Sequence, residues 1–88
     1  MQIESEKDFT ELRQQFQTWR KRFPMFKHDV QNIEHSIEKH ITNYSIHLVD
    51  YRRTHQKRYL ENAQSEINEI NRILQLVGKL ELMAMLSQ

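Results

Sequence analysis

Residues 25–77 read MFKHDVQNIEHSIEKHITNYSIHLVDYRRTHQKRYLENAQSEINEINRILQLV, without a single glycine or proline. The apolar or part-apolar side chains fall at Val30, Ile33, Ile37, Ile41, Tyr44, Leu48, Tyr51, His55, Tyr59, Ala63, Ile67, Ile70, Leu74 and Val77. Steps of three and four, averaging about 3.6, keep this stripe on one side of a nearly straight helix rather than winding it into a strict left-handed supercoil. His55 and Ala63 are its weak places. The phase runs unbroken through Ile41, Tyr44 and Leu48, and predicts one long helix from about residue 26 to 77, with a possible continuation to 86. The alternative is a three-helix bundle with a break at Thr42-Asn43-Tyr44-Ser45, where helix propensity is modest and two side chains could cap.

Working outward, Pro24 excludes Phe23 from the helical region and closes whatever precedes it, with a turn over residues 23–25. Before it, Phe9, Leu12, Phe16, Trp19 and Phe23 repeat at three and four, the seam of an amphipathic helix over about 6–22. Ser5 reads as its N-cap with Asp8 three residues on. Glu4, Glu6, Asp8 and Glu11 lie at the start and Arg20, Lys21 and Arg22 at the end, the order the helix dipole favours. Gly78 reads as a stop or kink, after which residues 79–86 could continue or fold back as a short cap.

The fold expected is therefore all-α and a single domain over residues 1–88: a helical hairpin with a short first and a long second helix, assembling into an antiparallel coiled-coil or helical-bundle dimer. The expectation of assembly comes from geometry. An unbroken second helix would be roughly 80 Å long, and the first helix is too short to cover its far half. From Ile70 to Leu86 apolar residues surround the axis, as in helices buried on most sides. The interface expected on that basis is Tyr59, Ile67, Ile70, Ile73, Leu74, Val77, Leu80 and Met83.

Composition narrows the function classes. There is no cysteine, so neither a disulfide nor a thiolate metal site can staple the chain. Thirteen Lys and Arg against twelve Asp and Glu leave a net charge of +1, which gives no global attraction to nucleic acid or anionic lipid. The opening residues lack the basic and apolar segments of a secretion signal, and no apolar run approaches the ~18 residues of a membrane span. A cytoplasmic protein without membrane contact is expected.

His28, His35, His40, His47 and His55 are spaced seven, five, seven and eight apart, whereas two helical ligands of one ion normally stand three or four apart. No metal and no cofactor is expected. No Ser/His/Asp or Cys/His set and no glycine loop suggests catalysis. The densest basic stretch, Arg52, Arg53, Lys57 and Arg58 between Tyr51 and Tyr59, could hold phosphates while rings stack on bases. The reading is thus a non-enzymatic helical interaction module, homodimeric or joined to a helical hetero-partner. The alternative is a small dimeric regulator that touches nucleic acid through those four cations.

Overall fold

A computed structural model describes residues 1–86. It is all-helical, and the helices pack against one another. Helix α1 spans Asp8–Arg22, a 3-10 turn spans Pro24–Phe26, α2 spans Lys27–Thr54 and α3 spans Lys57–Leu86.

The long second arm is not continuous: it doubles back at His55 and Gln56. There the expected single helix over 26–77 is corrected. His55 adopts the left-handed conformation (φ 57°), and its N–H donates to the Tyr51 carbonyl at 2.7 Å, closing the end of α2. Such a left-handed residue is the ordinary way to end a helix, and histidine enters that region more readily than most residues with a Cβ. The Gln56 N–H donates to Thr54 Oγ1 at 3.3 Å, and the Tyr59 N–H to the Gln56 carbonyl at 3.1 Å, starting α3. A continuous helix would have set Arg53 against Lys57 at four-residue spacing, a like-charge pair that disfavours staying helical there.

The break does not fall at Thr42–Ser45. Thr42 Oγ1 donates to the Glu38 carbonyl at 3.1 Å and Ser45 Oγ to the Ile41 carbonyl at 3.2 Å. Both hydroxyls are satisfied by the preceding turn, which lets the helix run on.

Turning at His55 lays the two halves of one stripe face to face. Val30, Ile33, Ile37 and Ile41 from α2 are buried against Ile67, Ile70, Ile73, Leu74, Val77 and Leu80 from α3. Ala63, a weak apolar residue by size, is also buried, its small side chain suiting close approach of two helices. Helix α1 packs on this hairpin with Phe9, Leu12, Phe16 and Trp19, followed by Phe23 beyond its end. Phe16 and Trp19 meet edge to face at 5.3 Å, and Phe9 meets Tyr44 likewise at 5.4 Å.

Arg13 clasps Glu38 through two hydrogen bonds of 2.8 and 3.0 Å, and Arg20 pairs with Glu34. Arg13's hydrogen bonds hold the Glu38 carboxyl below the usual carboxylate range. The molecule extends 53 × 19 × 17 Å with a radius of gyration of 14.9 Å, against about 12 Å for a compact chain of this length.

Gly78 neither stops nor kinks the chain. It sits inside α3, and a Cβ there would meet nothing within 4 Å. Gly78→Ala should therefore stabilise the protein by about 0.5–1 kcal/mol, through the backbone entropy that glycine loses on folding; the check is the midpoint of urea unfolding, which should rise. At the turn, His55→Gly should be neutral or raise stability by up to ~1 kcal/mol, whereas His55→Val should lower it by about 1–2 kcal/mol, because a β-branched residue is strained at positive φ. Equal midpoints for the two variants would show that the left-handed turn is not what joins the helices.

Candidate assembly surface

The residues expected to form an interface are mostly occupied within the chain. Ile67, Ile70, Ile73, Leu74, Val77 and Leu80 are buried against α1 and α2 of the same molecule, and Tyr59 is half-buried. Of the eight, Met83 is the one exposed residue. The physical reason is the turn at His55. The premise that nothing inside one chain could cover the second half of the stripe falls once that half folds onto α2. What the helices leave uncovered lies elsewhere.

One uncovered surface is at the base of the hairpin, where Leu82, Met85 and Leu86 are 58, 69 and 79 % exposed in the last turns of α3, with Leu76 and Met25 also exposed. The other is toward the tip, and the position of α1 creates it. Phe9, near the start of α1, touches Tyr44, and Arg20, near its end, touches Glu34, so α1 covers α2 only from the base to about Tyr44. Its fifteen residues reach roughly 22 Å along a partner of twenty-eight residues and about 42 Å.

The row of α2 that faces α1 through Glu38, and the row of α3 that faces the N-terminal segment through Asn71, both continue past them. On α2 the row through Glu38 runs on at four- and three-residue steps to Thr42, Ser45, Val49 and Arg52. On α3 the row through Asn71 runs back to Ile67, Gln64, Leu60 and Lys57. Val49 is 58 % and Leu60 40 % exposed. Thr42, Ser45, Ile46, Val49 and Asp50 line a shallow depression of about 270 Å³.

The four cations of the basic stretch surround the tip. Arg53 is paired with Asp50 at 3.1 Å, and Arg58 lies over the Tyr59 ring at 4.8 Å while donating to its hydroxyl at 2.9 Å. Arg52 and Lys57 are exposed at the ends of the two bare rows. Burial lifts the Tyr44 phenol above its ordinary value, with Glu6 adding to the shift and Arg52 opposing it.

Of the five histidines, His40 and His47 point their Nδ1 and Nε2 atoms at the carboxylate of Glu66 across the α2–α3 seam. Their seven-residue spacing on one face of α2 was the available signal for a shared partner. Among the described residues no group of three or more metal-binding side chains gathers, and no described helix is long and apolar enough to cross a membrane.

Two residues carry a contact that periodicity could not reveal. The Ile3 N–H donates to Asn71 Oδ1 at 2.7 Å, and Asn71 Nδ2 donates to the Ile3 carbonyl at 2.8 Å, while the Ile3 side chain is buried in the core. A side-chain amide thus satisfies both backbone groups of a segment with no regular structure, as a strand partner would. Just beyond, Asp8 accepts N–H groups from Glu4 and Ser5 at 2.8 and 3.3 Å. The expected Ser5 cap is therefore not made: no side chain caps α1, and Asp8 instead ties down the backbone of the two residues leading toward it.

No family model, curated protein or solved structure matches this chain.

Asn71→Ala should cost about 1–3 kcal/mol, the usual consequence of stripping partners from part-buried backbone groups. Removing residues 1–4 in that background should then cost less than removing them from the wild type. Additive effects in the unfolding midpoints would show that the amide does not hold the segment.

Proposed function

We propose that this protein is a non-enzymatic helical module that joins another protein chain, a second copy included, through the apolar helix surface that its own helices leave uncovered. The observation that carries this reading is the mismatch between α1 and the hairpin. The rows that α1 and the segment before it cover lower on the hairpin continue to the tip as Val49 and Leu60, exposed and without a covering helix. Exposed apolar side chains aligned with a core seam mark sites where burial is still to be gained, and a further helix laid in that groove would extend packing that α1 has begun. Leu82, Met85 and Leu86 offer a second apolar surface at the opposite end.

A second reading rests on Arg52, Arg53, Lys57 and Arg58, which the turn gathers at one end of a 53 Å molecule, where they could touch the phosphates of nucleic acid. Two of the four are already engaged with Asp50 and Tyr59, which leaves the apolar reading the stronger.

The test is assembly in vivo and in solution. Cross-linking in the native host and sedimentation of the purified chain should both show a complex that Val49→Glu with Leu60→Glu weakens at least tenfold, or that Leu82→Glu with Met85→Glu weakens if the base is the contact. Circular dichroism should remain helical in both double variants, since all four positions are exposed. Binding dominated by phosphate would instead fall steeply with salt and survive both apolar double variants, which would overturn the assembly reading in favour of the second.

A further inference from the structure

Resting on the assembly reading, we infer that the bare tip of the hairpin is occupied by the tip of a second copy, in a two-fold antiparallel arrangement that sets the basic turn of each copy against the acidic start of α1 in the other.

The argument begins with what flanks the groove. At its outer end stand Arg52 and Lys57, the last residues of the two bare rows, with Arg53 and Arg58 beside them. At its inner end stands the start of α1, where the exposed Glu4, Glu6 and Glu11 outnumber the one exposed cation there, Lys7. Along the two rows between them lie the exposed Val49 and Leu60 together with the exposed Ser45 and Gln64, beside the half-buried Leu48 and the buried Ala63. With Asp50 and Glu61 counted at the tip, the surface is still net basic at one end and net acidic at the other, with Val49 and Leu60 between, and is complementary to a copy of itself turned end for end.

Length agrees with this. The bare part of α2, residues 45–54, is about 15 Å at ~1.5 Å per residue. Two identical bare segments laid side by side in opposite directions cover each other completely, and each tip then arrives where the partner's α1 begins. The product is a short four-helix bundle between two three-helix ends. A two-fold contact requires this self-complementarity of one patch. A parallel arrangement would bring tip to tip, and four cations of each copy would face each other.

The pairing also accounts for Lys57 and Arg58 in the first turn of α3, which contains no acidic residue. Positive charge there opposes the helix dipole; a partner's carboxylates would relieve it. The contact is short, at the low end of interface size, so a dissociation constant of roughly micromolar order is expected.

Charge reversal tests the arrangement. One variant carries Arg52→Glu with Lys57→Glu, and the other Glu4→Lys with Glu6→Lys; Asp8 is left intact because it holds the backbone N–H groups of Glu4 and Ser5. Sedimentation equilibrium of the full chain at low salt should show a wild-type dimer and at least tenfold weaker self-association of either variant alone, with helix content unchanged. An equimolar mixture of the two should recover a heterodimer, because each reversed tip then meets a reversed start.

A wild-type chain that remains monomeric to several hundred micromolar overturns the inference. So does a mixture that fails to associate. Self-association that Val49→Glu with Leu60→Glu abolishes but charge reversal leaves unaltered would overturn this arrangement alone and leave the assembly reading standing. If the tip variant loses binding to a short oligonucleotide while its sedimentation matches the wild type, the tip is a phosphate site and the inference fails.

Discussion

Everything in this molecule depends on one apolar stripe being folded against itself at His55. A helix of more than fifty residues with a single apolar face has two ways to bury it: find another chain along its whole length, or turn and use its own second half. The turn costs a residue in the left-handed region and two positions of helix. It gains the contact of Val30–Ile41 with Ile67–Leu80 inside one chain, where no translational entropy is lost, unlike association. The like-charged run around His55 lowers the cost of interruption there, and the satisfied hydroxyls of Thr42 and Ser45 remove the incentive to interrupt earlier.

Once the hairpin exists, the rest of the chain is arranged around its base. Pro24 ends α1 and returns the chain within a few residues, so α1 must run antiparallel to α2 from the base upward. Phe9, Leu12, Phe16 and Trp19 close the third side of the core. The surface clasps Arg13–Glu38 and Arg20–Glu34 set the register of that docking more than its strength, since exposed pairs contribute little. Residues before α1 are drawn in by Asn71, which binds Ile3 through its backbone and leaves the isoleucine side chain to the core. The base is thus covered from three sides while the tip remains a two-helix structure.

The helices were legible because helix propensity, the scarcity of glycine and proline, and the spacing of apolar residues all point the same way. The seam of α1 is buried as its spacing predicts, and so are the stripe members from Val30 to Ile41 and from Ala63 to Val77, whereas Tyr44, Leu48, Tyr51 and Tyr59 are half-buried and His55 is exposed at the turn. The turn was harder to read, since no glycine, proline or change of phase marks it. A stripe that folds on itself keeps the spacing of one that does not, so phase continuity through Tyr44 and Leu48 argued against a break at residues 42–45 and was silent on one at 55. The signal that existed was chemical: a histidine in an apolar position amid four cations. Misplacing the turn misplaced the candidate surface, because Ile67, Ile70, Leu74 and Val77 look unpartnered only while α3 is taken as a free arm. Ile3 and Asn71 were invisible, since an extended segment held by one amide has no period.

A net charge of +1 hides local gatherings: acid where α1 begins, and base both where α1 ends, at Arg20, Lys21 and Arg22, and where α2 ends and α3 starts. In a monomer the basic turn is a local liability, since Lys57 and Arg58 oppose the dipole of α3. A protein that had only to fold could remove it with a glycine turn and neutral flanks. The apolar rows that lead to it are equally unnecessary for a base already closed by α1. Stability of the three-helix base accounts for neither feature, and both lie on the same end of the hairpin, along the same two rows. A contact that needs an apolar centre and opposite charges at its two ends uses them together.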